Sequence, residues 1–328
     1  MKKYNVAILG ATGLVGQTMI KVLEESSIDV ENLYVFASSR SVGLNVTFRD
    51  KTYPIIELKE EAFNMELDFA FFAIDSELSK QYGPFLASKG VYVIDNSSQW
   101  RMDPTVPLIV PEINGHILNK DNHLIANPNC STIQSVVPLK VIDKLFNVKA
   151  VSYSSYQAVS GSGTPGLNDL KRGEQGFPPE FYPKQIYSNV IPQIDSFLES
   201  GYTKEEMKMV NESQKILNKQ MEINATCVRV PVFNGHSVSM VVETEKEVDL
   251  ERLKSVFMKH DTIIYFNHSV YPTPLDASGQ DKVMVGRLRL DLNHKNKVLL
   301  WSVADNIRKG AASNAIQIAE YLIKEGIV

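Results

Sequence analysis

The chain has 328 residues, 44% hydrophobic and 22% charged, ordinary globular usage that excludes a disordered, collagen-like or coiled-coil protein. Its net charge of −4 offers no basic field for nucleic acid or anionic lipid. The length points to two domains or one large α/β domain, and a chain of this size folds without the help of disulfides or metals.

Two cysteines, Cys130 and Cys227, cannot supply a disulfide framework or a four-ligand zinc site, and they suit a reducing compartment. Met1-Lys2-Lys3 begins like the basic end of a signal peptide. However, Asn5, Gly10, Thr12, Gly13 and Gly16 interrupt the apolar stretch after it, and no small-residue cleavage pattern appears. The densest apolar run, Phe69 to Ile74, is far short of the ~20 residues of a membrane helix. The expectation is a soluble cytoplasmic protein with no nucleic-acid, membrane or metal partner.

In chain order, Tyr4–Leu9 reads as a strand and Leu14–Leu23 as a helix with apolar positions at 15, 19, 22 and 23. Leu33–Phe36, Phe69–Ala73 and Val91–Ile94 read as further strands, the last two apolar enough to be buried on both faces. Strands alternating with a helix at this spacing predict a parallel, doubly wound sheet. The region from about Asn129 differs. Its strands are longer and β-branched (Val148–Gln157, Ile223–Val232, Ser237–Glu243, Lys282–Leu290, Val298–Ala304), with helices near 203–218 and 249–258. This predicts an antiparallel or mixed sheet with helices on one face. Lys309–Lys324 closes the chain as a helix, apolar at 311, 312, 315, 316, 319, 322 and 323.

Gly10-Ala11-Thr12-Gly13-Leu14-Val15-Gly16 lies between the first strand and the first helix. Gly10 suits the tight turn, Gly13 a close approach to a pyrophosphate, and Gly16 close helix–strand packing. The free N–H groups at the helix start, around Thr12, Leu14 and Val15, would face the anion. After the second strand comes Ser38-Ser39-Arg40-Ser41, with no acid to meet a free ribose 2′-hydroxyl. Hydroxyls of Ser38 and Ser41 with the Arg40 guanidinium suit a 2′-phosphate, so NADP is expected over NAD.

Asn127-Pro128-Asn129-Cys130 precedes the apolar-periodic run Ile133–Phe146. Pro128 discourages helix before it and Asn129 is a good cap, which places Cys130 in the first helical turn. A thiol there is expected to be acidified by the helix dipole and to act as a nucleophile. Cys227, inside a strand, reads as core. A nicotinamide cofactor beside a thiol nucleophile suggests oxidation of an aldehyde to a thioester, which water or phosphate then attacks.

The segments GATGLVG at 10–16, SSRS at 38–41, NSSQWR at 96–101, NPNCST at 127–132, YQAVSGSG at 156–163, ESQK at 212–215 and RVPVFNGH at 229–236 occur in this order. Together they resemble the aspartate-semialdehyde dehydrogenases, of the shorter bacterial type common in Gram-positive organisms, and the likeness runs from Val6 to the last helix. It implies a Rossmann-like NADP domain, 1–128 plus 305–328, and a second α+β catalytic and dimerisation domain, 129–304. It implies reversible, phosphate-dependent oxidation of L-aspartate 4-semialdehyde to L-4-aspartyl phosphate, on the route to lysine, threonine and methionine. Cys130 would be the nucleophile, His236 the acid/base that takes the thiol proton, and Gln157 the residue orienting the reacting centre. Arg229 would clamp the substrate carboxylate, and Glu212 would pair with Lys215 or receive the ammonium group. Arg101 and Lys215 would bind phosphate with Asn129 assisting, Ser160 and Gly161 would contact the nicotinamide half, and Asn306 would be another cofactor contact. A homodimer through the second domain is implied.

One stretch departs from that pattern. Relatives commonly carry a small Gly/Ser-rich turn after the strand ending at Ala73, whereas this chain has Ile74-Asp75-Ser76-Glu77. Two acids near a pyrophosphate would be unfavourable, so no cofactor contact is expected there. The rival readings are an N-acetyl-glutamyl phosphate reductase, whose acetylated substrate has no ammonium for Glu212, a glyceraldehyde phosphate dehydrogenase, and a non-catalytic NADP-sensing module.

Overall fold

The computed structural model describes residues 2–328. They form two compact units, one of the residues up to Pro128 together with Ala311–Val328, the other Asn129–Gly310.

The first unit contains β1 (Tyr4–Leu9), α1 (Leu14–Glu25), β2 (Val30–Ala37), β3 (Asn45–Phe48), β4 (Lys51–Glu57), β5 (Phe69–Phe72), α2 (Ser76–Ala87), β6 (Tyr92–Asp95), α3 (Pro111–Asn114) and β7 (Leu124–Ala126). Its sheet runs β3-β4-β2-β1-β5-β6-β7, parallel except for the β3–β4 pair. Alternation along β1 shows why it is doubly wound. Val6 and Ile8 enter a core with Met19 and Leu23 of α1 and with Ala315, Ile316 and Ala319 of the C-terminal helix. Ala7 and Leu9 enter the opposite core with Tyr82 and Leu86 of α2. This central strand is therefore apolar on both faces.

Two elements here carried weak sequence signals. The β3–β4 hairpin turns on Arg49 and Asp50, both at positive φ, a geometry that Gly or Asn usually announces. Helix α2 holds Gly83 and Pro84, polar residues and a low apolar content. Its start explains the Ile74–Glu77 departure, because Asp75 is the N-cap, accepting from Leu78 N–H at 3.0 Å, and Glu77 lies in the first turn. Both acids favour the positive end of a helix.

The second unit contains α4 (Cys130–Phe146), β8 (Val148–Gln157), α5 (Gly163–Glu174), α6 (Lys204–Leu217), β9 (Glu222–Arg229), β10 (His236–Thr244), α7 (Leu250–Met258), β11 (Ile263–Tyr265), α8 (Pro274–Ala277), β12 (Val283–Leu290) and β13 (Lys297–Ala304). The sheet is mixed, in the order β11-β12-β13-β10-β8-β9. The central pairs are antiparallel, and β8 with β9 and β11 with β12 are parallel. Helix α4 packs on β8, β10 and β13 and against α6 and α7, and 12 of its 17 residues are buried, so it shows little amphipathic period. The other sheet face is open: Ser152, Ser154 and Tyr156 are exposed, and Val241, Leu299 and Trp301 half-buried.

Strand β9 stops at Arg229, short of the expected Val232. Val232 N–H turns back to the Val230 carbonyl, and Pro231 has no N–H to continue a ladder. The irregular segment before α6 is pinned by Asp169, whose carboxylate accepts the N–H groups of Glu180, Phe181 and Tyr182. The chain rejoins the first unit at Ala311 rather than 305. Residues 305–310 stay with the second unit because Asn306 Oδ1 accepts Gly235 N–H and Asp305 Oδ2 accepts from Asn234 and Gly279. A π-type turn at Arg308–Ala312 then leads into the last helix, Ser313–Lys324. Among the described residues no helix is long and apolar enough to cross a membrane.

Candidate active site

In the first unit the glycine turn has the geometry its spacing predicts. Gly10 has φ +83°, and a Cβ there would stand 2.2 Å from the Ala73 carbonyl oxygen. A Cβ at Gly16 would stand 2.1 Å from the Gly10 carbonyl oxygen, whereas at Gly13 its nearest neighbour would be 3.4 Å away. Two glycines thus permit close packing, and the third leaves a bare face. Gly13 is also the N-cap of α1, and no side chain caps that helix, so the amides of the Leu14–Val15 turn remain available to an anion. Thr12 Oγ1 lies 3.4 Å from Ser41 Oγ, tying the turn to the loop that carries Ser38 and Arg40, both exposed. Arg101 belongs to this unit. It is buried, with Nε donating to the Asn127 carbonyl at 3.0 Å and Nη2 to the Asn96 carbonyl at 2.7 Å.

In the second unit Asn129 caps α4: its Oδ1 accepts from Ser131 N–H at 2.9 Å and Thr132 N–H at 3.2 Å. Cys130 is the first helical residue and is half-buried. A Cβ on Gly310 would stand 2.7 Å from the Cys130 Cβ, so that glycine is what leaves room beside the thiol. Glu212, buried on α6, accepts Asn129 N–H through Oε2 at 2.7 Å. Lys215 follows one turn later, half-buried. The contrast with Cys227 is sharp, since burial pushes that thiol up to about 12, with Sγ packed 3.6 Å from Met209 Sδ.

The remaining side chains meet at one end of the six-stranded sheet. Gln157 ends β8, Arg229 ends the parallel β9 and is paired with Gln157, and His236 opens the antiparallel β10. His236 is also opposite Ala304, the last residue of β13, which Asp305 and Asn306 follow. Gln134, one turn along α4 from Cys130, donates to the carbonyls of His236 and Ser302, fastening the helix to this sheet end. Arg229 Nη1 donates to the Ala158 carbonyl at 2.7 Å, and its backbone pairs with Ile191. Gly161 has no Cβ to press on this cluster; one built there would stand 2.9 Å from Arg229 Nη1 and 3.2 Å from His236 Nε2. Ser160, Asn234, Gly235 and Asn306 are joined by hydrogen bonds of 2.9–3.3 Å.

His236 has a defined tautomer. Its Nδ1 accepts Ala158 N–H at 3.0 Å, so the neutral ring carries its proton on Nε2. Burial, reinforced by the Arg229 charge, holds its pKa well below the usual 6.5, so it stays neutral. Nε2 is buried without a hydrogen-bond partner, as is Arg229 Nε. An imidazole that already bears hydrogen on Nε2 donates there. Taking a proton from the thiol on that atom, the role the resemblance implies, would require it to give up the Ala158 bond.

Sequence reasoning passed over Glu205, whose carboxylate bonds both Asn129 and Gln157. A signal was present: Glu205-x-x-Lys208 and Glu212-x-x-Lys215 repeat at seven residues, which places both pairs on one face of α6.

Residues 5–120 match the family model described as "Semialdehyde dehydrogenase, NAD binding domain", and residues 139–309 match "Semialdehyde dehydrogenase, dimerisation domain". Fold and site together therefore define an oxidoreductase of the semialdehyde dehydrogenase class. The chain is 47% identical to an aspartate-semialdehyde dehydrogenase of Aquifex aeolicus over 99% of both chains. It superposes with a TM-score of 0.95, at 43% identity and covering 99% of each chain, on aspartate semialdehyde dehydrogenase II of Vibrio cholerae complexed with ASA. The Candida albicans enzyme with NADP gives a TM-score of 0.81 at 25% identity over the whole of both chains. The chain belongs to the aspartate-semialdehyde dehydrogenase family.

Proposed function

We propose that this chain interconverts L-aspartate 4-semialdehyde and L-4-aspartyl phosphate, with NADP and inorganic phosphate, through a thioester on Cys130. Its family membership gives the reaction class. The single observation that carries the mechanism is the sheet end, where a capped thiol helix is fastened beside a neutral imidazole and a guanidinium whose Nε2 and Nε are buried and unpartnered. Such groups suit a reacting oxygen and a carboxylate.

The Cys130 thiol releases its proton to solvent, favoured at the helix start, and the thiolate adds to the aldehyde carbon: a C–S bond forms, the C=O π pair moves to oxygen, and that oxygen takes the negative charge. His236 donates from Nε2 to that oxygen, a neutral donor in a buried setting. Re-forming C=O from that oxygen expels the hydride and leaves the thioester; a nicotinamide nucleotide held by the glycine turn would supply the hydride acceptor in this direction and the hydride donor in the other. On the thioester, a phosphate oxygen attacks the carbonyl carbon, the charge again falls on the oxygen facing His236, and the C–S bond breaks to release thiolate. Gln157 orients the reacting centre. Arg229 grips the substrate carboxylate, and Glu212, already bonded to Asn129 N–H, receives the ammonium group. This second contact favours aspartate semialdehyde over an acetylated substrate.

Arg101 and Lys215 bind phosphate, with Asn129 assisting. The turn from Gly10 through Thr12, Gly13, Leu14 and Val15 would cradle the pyrophosphate, Ser38, Arg40 and Ser41 would hold the 2′-phosphate, Ser160 and Gly161 would contact the nicotinamide half, and Asn306 would be a further cofactor contact. The open face of the second sheet supports a homodimer, and a biosynthetic role in amino-acid metabolism supports a cytoplasmic location. NADPH formation from aspartate semialdehyde, followed by absorbance with and without phosphate and with NADP⁺ and NAD⁺ in parallel, tests the whole reading. A signal that requires phosphate and prefers NADP⁺ is expected. No signal from folded, nucleotide-binding protein would return the question to the acetylated substrate or the sensor.

A further inference from the structure

The first turn of α6 places a carboxylate beneath the assigned machinery. Glu205 is buried; its Oε1 accepts from Asn129 Nδ2 at 2.9 Å and from Gln157 Nε2 at 3.2 Å, and its Oε2 from Lys208 Nζ at 3.2 Å. Lys208 Nζ is held in turn by Asp195 Oδ2 at 3.0 Å. The helix itself does not need this carboxylate for its start. Thr203 and Glu206 already form the capping box, and Glu206 Oε1 accepts Cys227 N–H on β9.

What Glu205 does is fix two amides. An amide that gives its NH₂ to an anion turns its oxygen the other way. For Asn129 that oxygen is the one capping Ser131 and Thr132 at the base of Cys130. For Gln157, whose Nε2 is shared between Glu205 and Ser155 Oγ, the turn aims Oε1 away from α6. Burial alone would raise the pKa of Glu205, but the Lys208 charge and the bonds from Asn129 and Gln157 hold it below the usual carboxylate range. A carboxamide could offer one oxygen to Asn129 and Gln157 but would set its NH₂ against Lys208 Nζ, displacing the side chain, so the anion is the form that satisfies all three donors in place.

We propose that Glu205 is a positioning residue for the reaction, one carboxylate oxygen orienting both the cap of the nucleophile and the amide at the reacting centre. This rests on the activity proposed above, and Glu205 itself touches neither substrate nor cofactor.

The test is the steady-state kinetics of Glu205→Gln in the wild-type and in the Gln157→Ala background, with thermal melts to confirm folding. In the wild-type background kcat is expected to fall on the order of 10- to 100-fold while KM moves less than about threefold, the scale of a misplaced reacting group. In the Gln157→Ala background the same substitution should cost at least about threefold less, because residues acting in one network are not additive. An unchanged kcat, or the same loss in both backgrounds, overturns the proposal. Should Glu205→Gln fail to fold, Glu205→Asp keeps the charge but shortens its reach, and the same coupling is expected of it. A wild-type chain silent in the assay sinks the activity reading and this role together. An active wild type with an unaffected Glu205 variant sinks the role alone.

Discussion

The glycine turn of the first unit and the sheet end of the second are built by different means. The turn is backbone: Gly10, Gly13 and Gly16 matter for the side chains they lack, and what its uncapped helix start offers an anion is peptide N–H groups. The sheet end is made of side chains gathered from four strand termini and one helix start, each held by a partner such as Ala158, Asn129 or Glu205. A backbone site should therefore fail by losing fold or affinity, and a side-chain site by losing rate. Substitutions can break that distinction.

The largest effect is expected from Cys130→Ser. It should cut kcat by about 10³-fold or more, since a serine hydroxyl lacks the thiolate's nucleophilicity, while nucleotide binding by the first unit is unchanged in a titration. His236→Ala should lower kcat by roughly 10²–10³-fold, the usual loss for one oxyanion donor. The wild-type pH–rate profile sharpens this assignment. With the His236 pKa depressed by burial and by Arg229, the ring is neutral on both sides of 6.5, and kcat/KM should show no acid limb there. The linkage has the same sign, because a histidine whose folded pKa is depressed contributes stability that is present above 6.5 and is lost as pH falls below it. An activity that falls with a midpoint near 6.5, and is flattened by His236→Asn, would contradict the neutral-donor role.

Arg229→Lys should cost roughly 10- to 100-fold in kcat/KM, chiefly through KM for the carboxylate substrate, because a bidentate fork is replaced by a point charge. The smallest change is expected from exposed Arg40. Arg40→Ala should reduce the preference for NADP over NAD by roughly tenfold, the scale of one charge-assisted contact, with kcat preserved. An unchanged preference would remove Arg40 from the 2′-phosphate site.

The contrast between turn and sheet end also explains what the sequence discloses. The turn occupies seven consecutive residues, so strand, glycines and helix start can be seen together. Cys130 was legible for the same reason, since Asn129 and Pro128 stand beside it. Gln157, Arg229 and His236 are separated by 72 and 7 positions, and only the register of β8, β9 and β10 brings them to one edge. Their roles came from resemblance, not spacing. The proton on His236 Nε2 was out of reach altogether, because it depends on which backbone N–H faces Nδ1. Glu205 lay hidden in a charged helix turn, where a carboxylate two residues after a threonine cap looks like dipole compensation. In the fold, the β3–β4 hairpin and α2 escaped because their turn and helix residues contradict local propensity. In α2 packing, not propensity, decides: Gly83 leaves room for Trp100, whose indole Nε1 would stand 3.3 Å from a Cβ there.

The central claim is that carbon becomes covalently bound to Cys130 during turnover. Intact-mass and peptide mass spectrometry of the chain after exposure to aspartate semialdehyde and NADP⁺ without phosphate tests it directly. One aspartyl adduct is expected on the peptide containing Cys130, discharged when phosphate is added, with Cys227 unmodified. Turnover with no adduct, or an adduct on Cys227, would contradict it.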